Sequence, residues 1–437
     1  MNEHKMNFNR EAVRLKSYLI DPLRRNALFL MAAGGFTSLF GFFFWLIAAR
    51  FYSTSQVGLA TALISAMSLL AGITKLGLDF GLVRFLPRSQ DKPDIINTCF
   101  TLVGVLSILA AIVFILGLGF WAPKLLFIRD NWIYIFSFVI FSFLTTIGQL
   151  QGQVYIAFRA AHLTFIQSLL SGFDLLLIIP FIFMGAFGIF AAAGLATILT
   201  TMVGMYFLVK LEPGYRPFIT VRKTLNNEMI RFSLGNYMAS LLSSTAIYLM
   251  PLIIIGVLDT ESSAYFTIAF ALSSIMGIIT TSTSSSLFAE GSYDPDKIGS
   301  QIVKSLKFIS IFIIPVSAIL LIFGKLILSL FGPQYAKNCL TLMWLFALSW
   351  IPNIVNMLYL TLMKIQKNIR ALIYVEAALL VLTIGISYAL MRINGLVGVG
   401  LGFLGAQGFM AIITGILLIK KAGASPKNLL RRLKGNN

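Results

Sequence analysis

Apolar runs long enough to cross a bilayer follow one another from Ala27 to Ile419, each closed by a breaker or by charged residues. A helix needs about 20 apolar residues to cross a hydrocarbon core of ~30 Å. On that measure the pattern predicts twelve helices, at 27–49, 57–86, 97–120, 132–158, 163–184, 187–209, 230–257, 263–288, 302–323, 338–363, 370–391 and 396–419. The strict apolar/polar alternation of a membrane barrel is missing. The pattern therefore predicts an all-α polytopic membrane protein. The second and eighth helices lose hydrophobicity toward their second ends, and the polar residues gather there.

Composition agrees with this reading. Of 437 residues, 58% are hydrophobic and 11% charged, with a mean hydropathy of +0.88. A soluble domain carries about 25% charged residues, so a soluble enzyme is excluded. The net charge of +18, from 34 Lys and Arg against 16 Asp and Glu, would suggest nucleic acid in a soluble chain. Here the bases sort by side. With both termini placed in the cytoplasm, nearly all fall in the tails and in the connections 2–3, 4–5, 6–7, 8–9 and 10–11. Only Arg50, Lys124, Arg129, Lys325, Lys337 and Arg392 fall outside, and Lys75 lies within a helix. That bias is the one expected of a multi-pass plasma-membrane protein, and it removes nucleic acid as a partner.

The longest inner connection, with Pro213, Gly214 and Pro217, divides the chain in two. The expected organisation is a basic tail (1–26), a lobe of helices 1–6 (27–209), a linker (210–229), a lobe of helices 7–12 (230–419) and a second basic tail (420–437). The halves resemble each other. Ser53-Thr54-Ser55-Gln56 answers Asp259-Thr260-Glu261-Ser262, Asp91-Lys92-Pro93-Asp94 answers Asp294-Pro295-Asp296-Lys297, and Tyr155 answers Tyr359. Six helices per half make the repeat a parallel one, as in transporters that rock two lobes about a central cavity. Catalysis finds no support. Cys99 and Cys339 have no pair spacing, two His (His4 and His162) do not suggest a metal centre, and no P-loop or nucleophile triad appears. The outer connections are too short for a membrane glycosyltransferase.

An ionisable residue inside a span costs about 2.5–3.5 kcal/mol on insertion scales and is a functional candidate by default. The second helix carries Lys75, Asp79, Arg84 and Arg88. Lys75 and Asp79, four apart, share a helical face, and about 140° separates Asp79 from Arg84. One acid against three bases leaves a positive surplus suited to phosphate; the plainer alternative is an internal ion pair with two snorkelling arginines. In the eighth helix Thr280 to Ser286 are seven consecutive hydroxyl residues. The repeat sets Thr281 opposite Lys75, Ser285 opposite Asp79 and Glu290 opposite Arg84, and Glu290 would neutralise part of an anion site there. The hydroxyls either back-bond to carbonyls one turn earlier or face a sugar or phosphate headgroup, which would make the two helices the sides of one polar cavity. Arg50 is an interfacial anchor or an outer phosphate contact. Asp174 and Glu376 either pair with nearby bases (Arg159; Lys364 and Arg370), line the cavity, or form an H⁺ or Na⁺ coupling site. No other cofactor is expected.

The segment Gly77-Leu-Asp79-Phe-Gly-Leu-Val-Arg84-Phe-Leu-Pro87, after the turn Phe51-Tyr-Ser-Thr-Ser-Gln-Val-Gly58, resembles the polysaccharide-biosynthesis flippases. These belong to the multidrug/oligosaccharidyl-lipid/polysaccharide exporter superfamily, and twelve spans fit the O-antigen type. The resemblance implies a V-shaped pair of six-helix lobes around a cationic cavity, moving polyprenyl-pyrophosphate-linked oligosaccharide to the outer leaflet of a prokaryotic plasma membrane. Lys75, Arg84 and Arg88 would then receive the pyrophosphate and the hydroxyl run the glycan. Membrane lipids, and a polysaccharide polymerase or glycosyltransferases, would be partners. Two rivals are a cation-coupled multidrug antiporter of the same superfamily, for which Asp174 and Glu376 speak, and a non-transporting scaffold of glycan assembly.

Overall fold

The computed structural model describes residues 22–222, 227–293 and 298–421. Most of both basic tails, Lys223 and the Asp294–Lys297 repeat motif lie outside the described residues. Among those described, every regular element is helical. The principal helices are α1 (Pro22–Phe51), α2 (Thr54–Thr74), α3 (Leu78–Phe85), α4 (Lys92–Leu116), α5 (Trp132–Ala157), α6 (Ala161–Ser171) and α7 (Ala186–Leu211). In the second half they are α8 (Asn227–Val257), α9 (Thr260–Ser273), α10 (Ile275–Tyr293), α11 (Ile298–Ser329), α12 (Leu340–Ile365) and α13 (Ile369–Lys421).

Nine of the described helices are long and apolar enough to cross a membrane, and a tenth crossing forms if the pair α9–α10, bent by 46°, is taken as one. Four further expected spans differ from the pattern. The second is broken into α2 and α3. The fifth becomes α6, a single turn at Asp174–Leu177 and a 3-10 turn at Ile182–Met184, because Gly172 and Pro180 interrupt it and Gly185 adopts φ 58°. The last two are continuous as α13, whose 53 residues would measure about 80 Å if straight. They are not straight. Gly395 takes φ 57°, ψ −141°, a region essentially reserved for glycine. Ser387 then donates to the Val399 carbonyl at 3.2 Å, and a Cβ on Gly398 would overlap the Leu390 carbonyl. The chain folds back on itself at one residue, so α13 supplies two passes.

The structure separates into two compact units. One runs to Phe44 and takes up again over Leu70–Leu116 and Ile128–Leu234. The other comprises Trp45–Leu69, Gly117–Phe127 and the chain from Gly235 onward. In the first, α3, α4, α5 and α7 enclose a core of Leu82, Leu86, Ile96, Cys99, Val103, Leu150 and Val154. Tyr155 crosses it to donate to the Gly204 carbonyl at 2.6 Å; a side chain at Gly204 would collide with Gln151 and Gln167.

Of the linker expected between the halves, the described stretch from Glu212 to Arg222 is a strap along the first three turns of α4. Asn97 donates to the Arg216 carbonyl at 2.9 Å and accepts from Phe218 N. Thr101 and Thr98 accept from the amides of Thr220 and Arg222, and Arg222 pairs with Asp94 at 2.5 Å. Side chains of α4 thus satisfy amides that have no helical partner. Burial of Tyr215 in the strap pushes its hydroxyl far above the usual phenol range, so it stays neutral.

Candidate functional site

α2 stops at Thr74, whose hydroxyl bonds back to the Leu70 carbonyl at 2.8 Å. Leu76 (φ 49°) and Gly77 (φ 74°) are both left-handed, which costs a non-glycine residue about 1–2 kcal/mol. α3 restarts at Leu78. The Lys75–Asp79 pair expected on one helical face is therefore made across a turn, with Nζ 3.5 Å from Oδ2 and both side chains largely buried. Asp79 Oδ1 also accepts from the Phe80 amide.

Leu78 and Leu82 of α3 and Leu86 of the 3-10 turn that follows it (Leu86–Arg88), four apart, are all buried. This stripe fixes the helix's rotation and keeps Arg84 and Arg88 at the surface, both exposed. Gly81 lets the start of α8 come close: a Cβ there would overlap Ser233 Oγ and lie 2.9 Å from Met229 Cε. The same approach sets Phe232 against Arg84, whose guanidinium carbon is 4.3 Å from the Phe232 centroid and 5.5 Å from that of Phe85. At that range the ring attracts the guanidinium through its quadrupole and accepts no hydrogen bond from it, which leaves N–H donors for an anion. Neither Arg84 nor Arg88 makes an ion pair among the described residues. Arg84 in α3 and Arg88 in the 3-10 turn after it are therefore two cations without an ion pair among the described residues, while Lys75 in the turn before α3 is internally paired.

The hydroxyl run on α10 divides by face. Thr280, Thr283 and Ser284 are buried, while Thr281, Ser282, Ser285 and Ser286 are exposed. Thr281 bonds back to the Gly277 carbonyl at 2.8 Å and Ser285 to that of Thr281 at 2.9 Å. Ser284 instead meets the Thr361 hydroxyl of α12. Back-bonding, the plainer of the two readings, is thus present, and each exposed back-bonded hydroxyl keeps acceptor capacity. Glu290 is exposed.

The two carboxylates stand in different surroundings. Asp174, in the fragmented fifth span, has one carboxylate oxygen buried without a hydrogen-bond partner among the described residues. It does not pair with Arg159, which occupies a left-handed turn (φ 57°). Glu376 lines a cavity of about 180 Å³ with Ser349, Asn353, Thr383 and Gln407. Among the described residues it forms no ion pair with Lys364 or Arg370. Beside it, Asn356 donates to Gln407 Oε1 at 2.7 Å and accepts from Thr414 at 2.7 Å, and Asn353 Oδ1 is buried without a partner among the described residues. Sequence reasoning looked for charges and passed over these amides, although Asn353, Asn356 and Gln407 stand out in apolar spans. Arg50 donates to the carbonyls of Ser329, at 3.1 Å, and Leu330. No group of three His, Cys, Asp or Glu side chains among the described residues could hold a metal ion.

Known proteins share this architecture. An inward-facing multidrug-resistance MATE transporter of the MOP superfamily superposes with a TM-score of 0.69 at 15% identity, over 89% of this chain and 94% of that one. The lipid II flippase MurJ, in an inward closed conformation, gives 0.73 at 13% identity, over 94% and 90%. An outward-facing MATE transporter gives 0.66 at 16% identity, over 92% and 96%. No curated protein matches the chain in sequence. The multi-pass helical fold is theirs, and residues 47–340 match the family described as polysaccharide biosynthesis protein. Two thirds of the sequence and the cation-bearing second span lie inside that match, and the chain belongs to the polysaccharide biosynthesis protein family.

Proposed function

We propose that this protein is a flippase for an anionic lipid-linked glycan. It carries oligosaccharide on a polyprenyl (pyro)phosphate from the cytoplasmic to the outer leaflet of a prokaryotic plasma membrane by alternating access, with both termini cytoplasmic. The observation that carries the reading is the free positive charge on α3 and the 3-10 turn after it, where Arg84 and Arg88 stand exposed without acidic partners among the described residues while Asp79 is occupied by Lys75. Charge-assisted bonds from guanidinium to phosphate are among the strongest available to a protein. They would hold the headgroup while the lipid tail stays in the bilayer, where it costs nothing to desolvate. A glycosyltransferase would supply the completed glycan and a polymerase or ligase would consume it.

The test is mass spectrometry of polyprenyl-linked saccharides in depleted cells, with leaflet assignment by an impermeant glycan-modifying reagent. Build-up of one complete oligosaccharide confined to the inner leaflet is expected. An unchanged pool, once redundant transporters are deleted, sinks the proposal.

Cation coupling is favoured by a separate observation: Glu376 shares its polar cavity with the unpartnered Asn353 Oδ1. A carboxylate and amide oxygens suit Na⁺ or a proton, and Asp174 is the corresponding candidate in the first half. Glu376→Gln should abolish dependence of transport on an imposed ion gradient while downhill exchange persists. Full dependence in that variant excludes Glu376. Should the cargo prove to be an organic cation, the antiporter reading replaces the first.

A further inference from the structure

At the end of α2 opposite its break at Thr74, several polar contacts join the first half of the chain to the second, all within one compact unit. Arg50, at the end of α1, donates to the carbonyls of Ser329 and Leu330 at the end of α11. Lys124, in the connection after α4, donates to the Leu258 carbonyl past the end of α8 at 3.1 Å. Thr54, opening α2, donates to Gln334 in the connection after α11 at 2.7 Å. The hydroxyls of Ser55 and Thr260 lie 2.7 Å apart. Beside them α2 packs backbone against backbone, since a Cβ on Gly58 would overlap the Thr260 carbonyl.

These contacts mirror one another. Pro123-Lys124 reaches the turn between the first two helices of the second half, and Pro333-Gln334 reaches the same turn of the first half. One cap breaks the symmetry. The last carbonyls of a helix lack internal donors and attract cations. At the end of α4, Arg129 serves Ile115, at 2.9 Å, and Leu116, all within the first half. The residue equally far past the proline in the second half is Cys339, which cannot take that role. The end of α11 borrows its cap from the first half, through Arg50.

We infer that these contacts form a latch holding the two halves together on this side, and that Arg50 is its positioning residue. Separating the halves strands the Ser329 and Leu330 carbonyls, whereas the end of α4 keeps its own cap in every state. Naming this side the outer one rests on the orientation given under Proposed function.

The test is disulfide formation in membranes between Ser55→Cys and Thr260→Cys, with the buried Cys99 and Cys339 left in place and the linked peptides identified by mass spectrometry. The parent pair should cross-link readily, and transport should stop until reductant is added. Arg50→Gln should slow cross-linking at least threefold. Arg50→Lys, which keeps the charge, should lie between and serves where the glutamine variant fails to insert. Arg129→Gln should leave the rate unchanged. Parental cross-linking in the Arg50 variants, or equal slowing by Arg129→Gln, overturns the latch. Orientation is read separately from Ser53→Cys in the exposed turn. Labelling of intact cells by an impermeant maleimide supports the outer assignment, and labelling only after the membrane is opened reverses it without touching the latch result.

Discussion

The second and eighth spans meet the same difficulty, polar residues carried into a bilayer, and solve it in different ways. The second breaks outright at the left-handed pair Leu76–Gly77, turns one acid and one base against each other, and stacks a guanidinium on Phe232. The eighth bends by 46°, where Ser273 and Ser274 bond back to Phe270 and Ala271, and Thr280, Thr281, Thr283 and Ser285 of its hydroxyl run bond to the helix's own carbonyls while Ser284 meets Thr361. Charges cannot be silenced by the local backbone, but hydroxyls can. The first half is therefore left with positive charge that has no ion pair among the described residues, whereas most hydroxyls of the second with a described bond are committed to their own helix.

Substitutions can break or sharpen this contrast. The largest effect is expected at Arg84. Arg84→Ala should cut flipping in proteoliposomes more than tenfold without lowering expression, since a charge-assisted bond is worth about 1.5–3 kcal/mol. Arg84→Lys should recover only part, because an ammonium neither stacks flat nor binds phosphate bidentately. Next comes Lys75→Ala, which strands Asp79 and should lower thermal stability by about 2 kcal/mol. The exchange Lys75→Asp with Asp79→Lys should restore stability and leave transport impaired; full recovery of both would make the pair purely structural. On the eighth span, Ser284→Ala loses the bond to Thr361 and should cost about 1 kcal/mol in a detergent melt, with transport near normal. Smallest is Ser285→Ala, exposed and back-bonded, for which less than a twofold change in rate is expected. A larger loss would show that its remaining lone pair contacts cargo.

Much of this was legible in the sequence. The apolar pattern located most of the helices, and Lys75, Asp79 and Arg84 announced themselves because ionisable residues are rare in spans. The break at Leu76 was not legible, because a leucine gives no local sign of a left-handed backbone; only Gly77 hinted at it. The strap's place on α4 escaped for another reason. Its amides are satisfied by Asn97, Thr98 and Thr101, more than a hundred residues earlier, and a periodicity of 3.6 reports which face is buried, not what bonds across it. The position of Arg50 at the end of a span suggests an anchor or a phosphate contact and gives no sign of the carbonyls far along the chain to which its guanidinium donates. The amide cluster around Gln407 went unnoticed because uncharged polar residues in a span so often mean helix packing.

The fold-back at Gly395 bears on how the protein is made. Two passes joined through a single non-helical residue leave no hydrophilic segment between them to be threaded across on its own, so they should enter the bilayer together, as one hairpin. The direction of the last pass is then dictated by its predecessor. Added charge at the chain's end would have little leverage over it, whereas lengthening the corner at Gly395 would let the two passes insert independently.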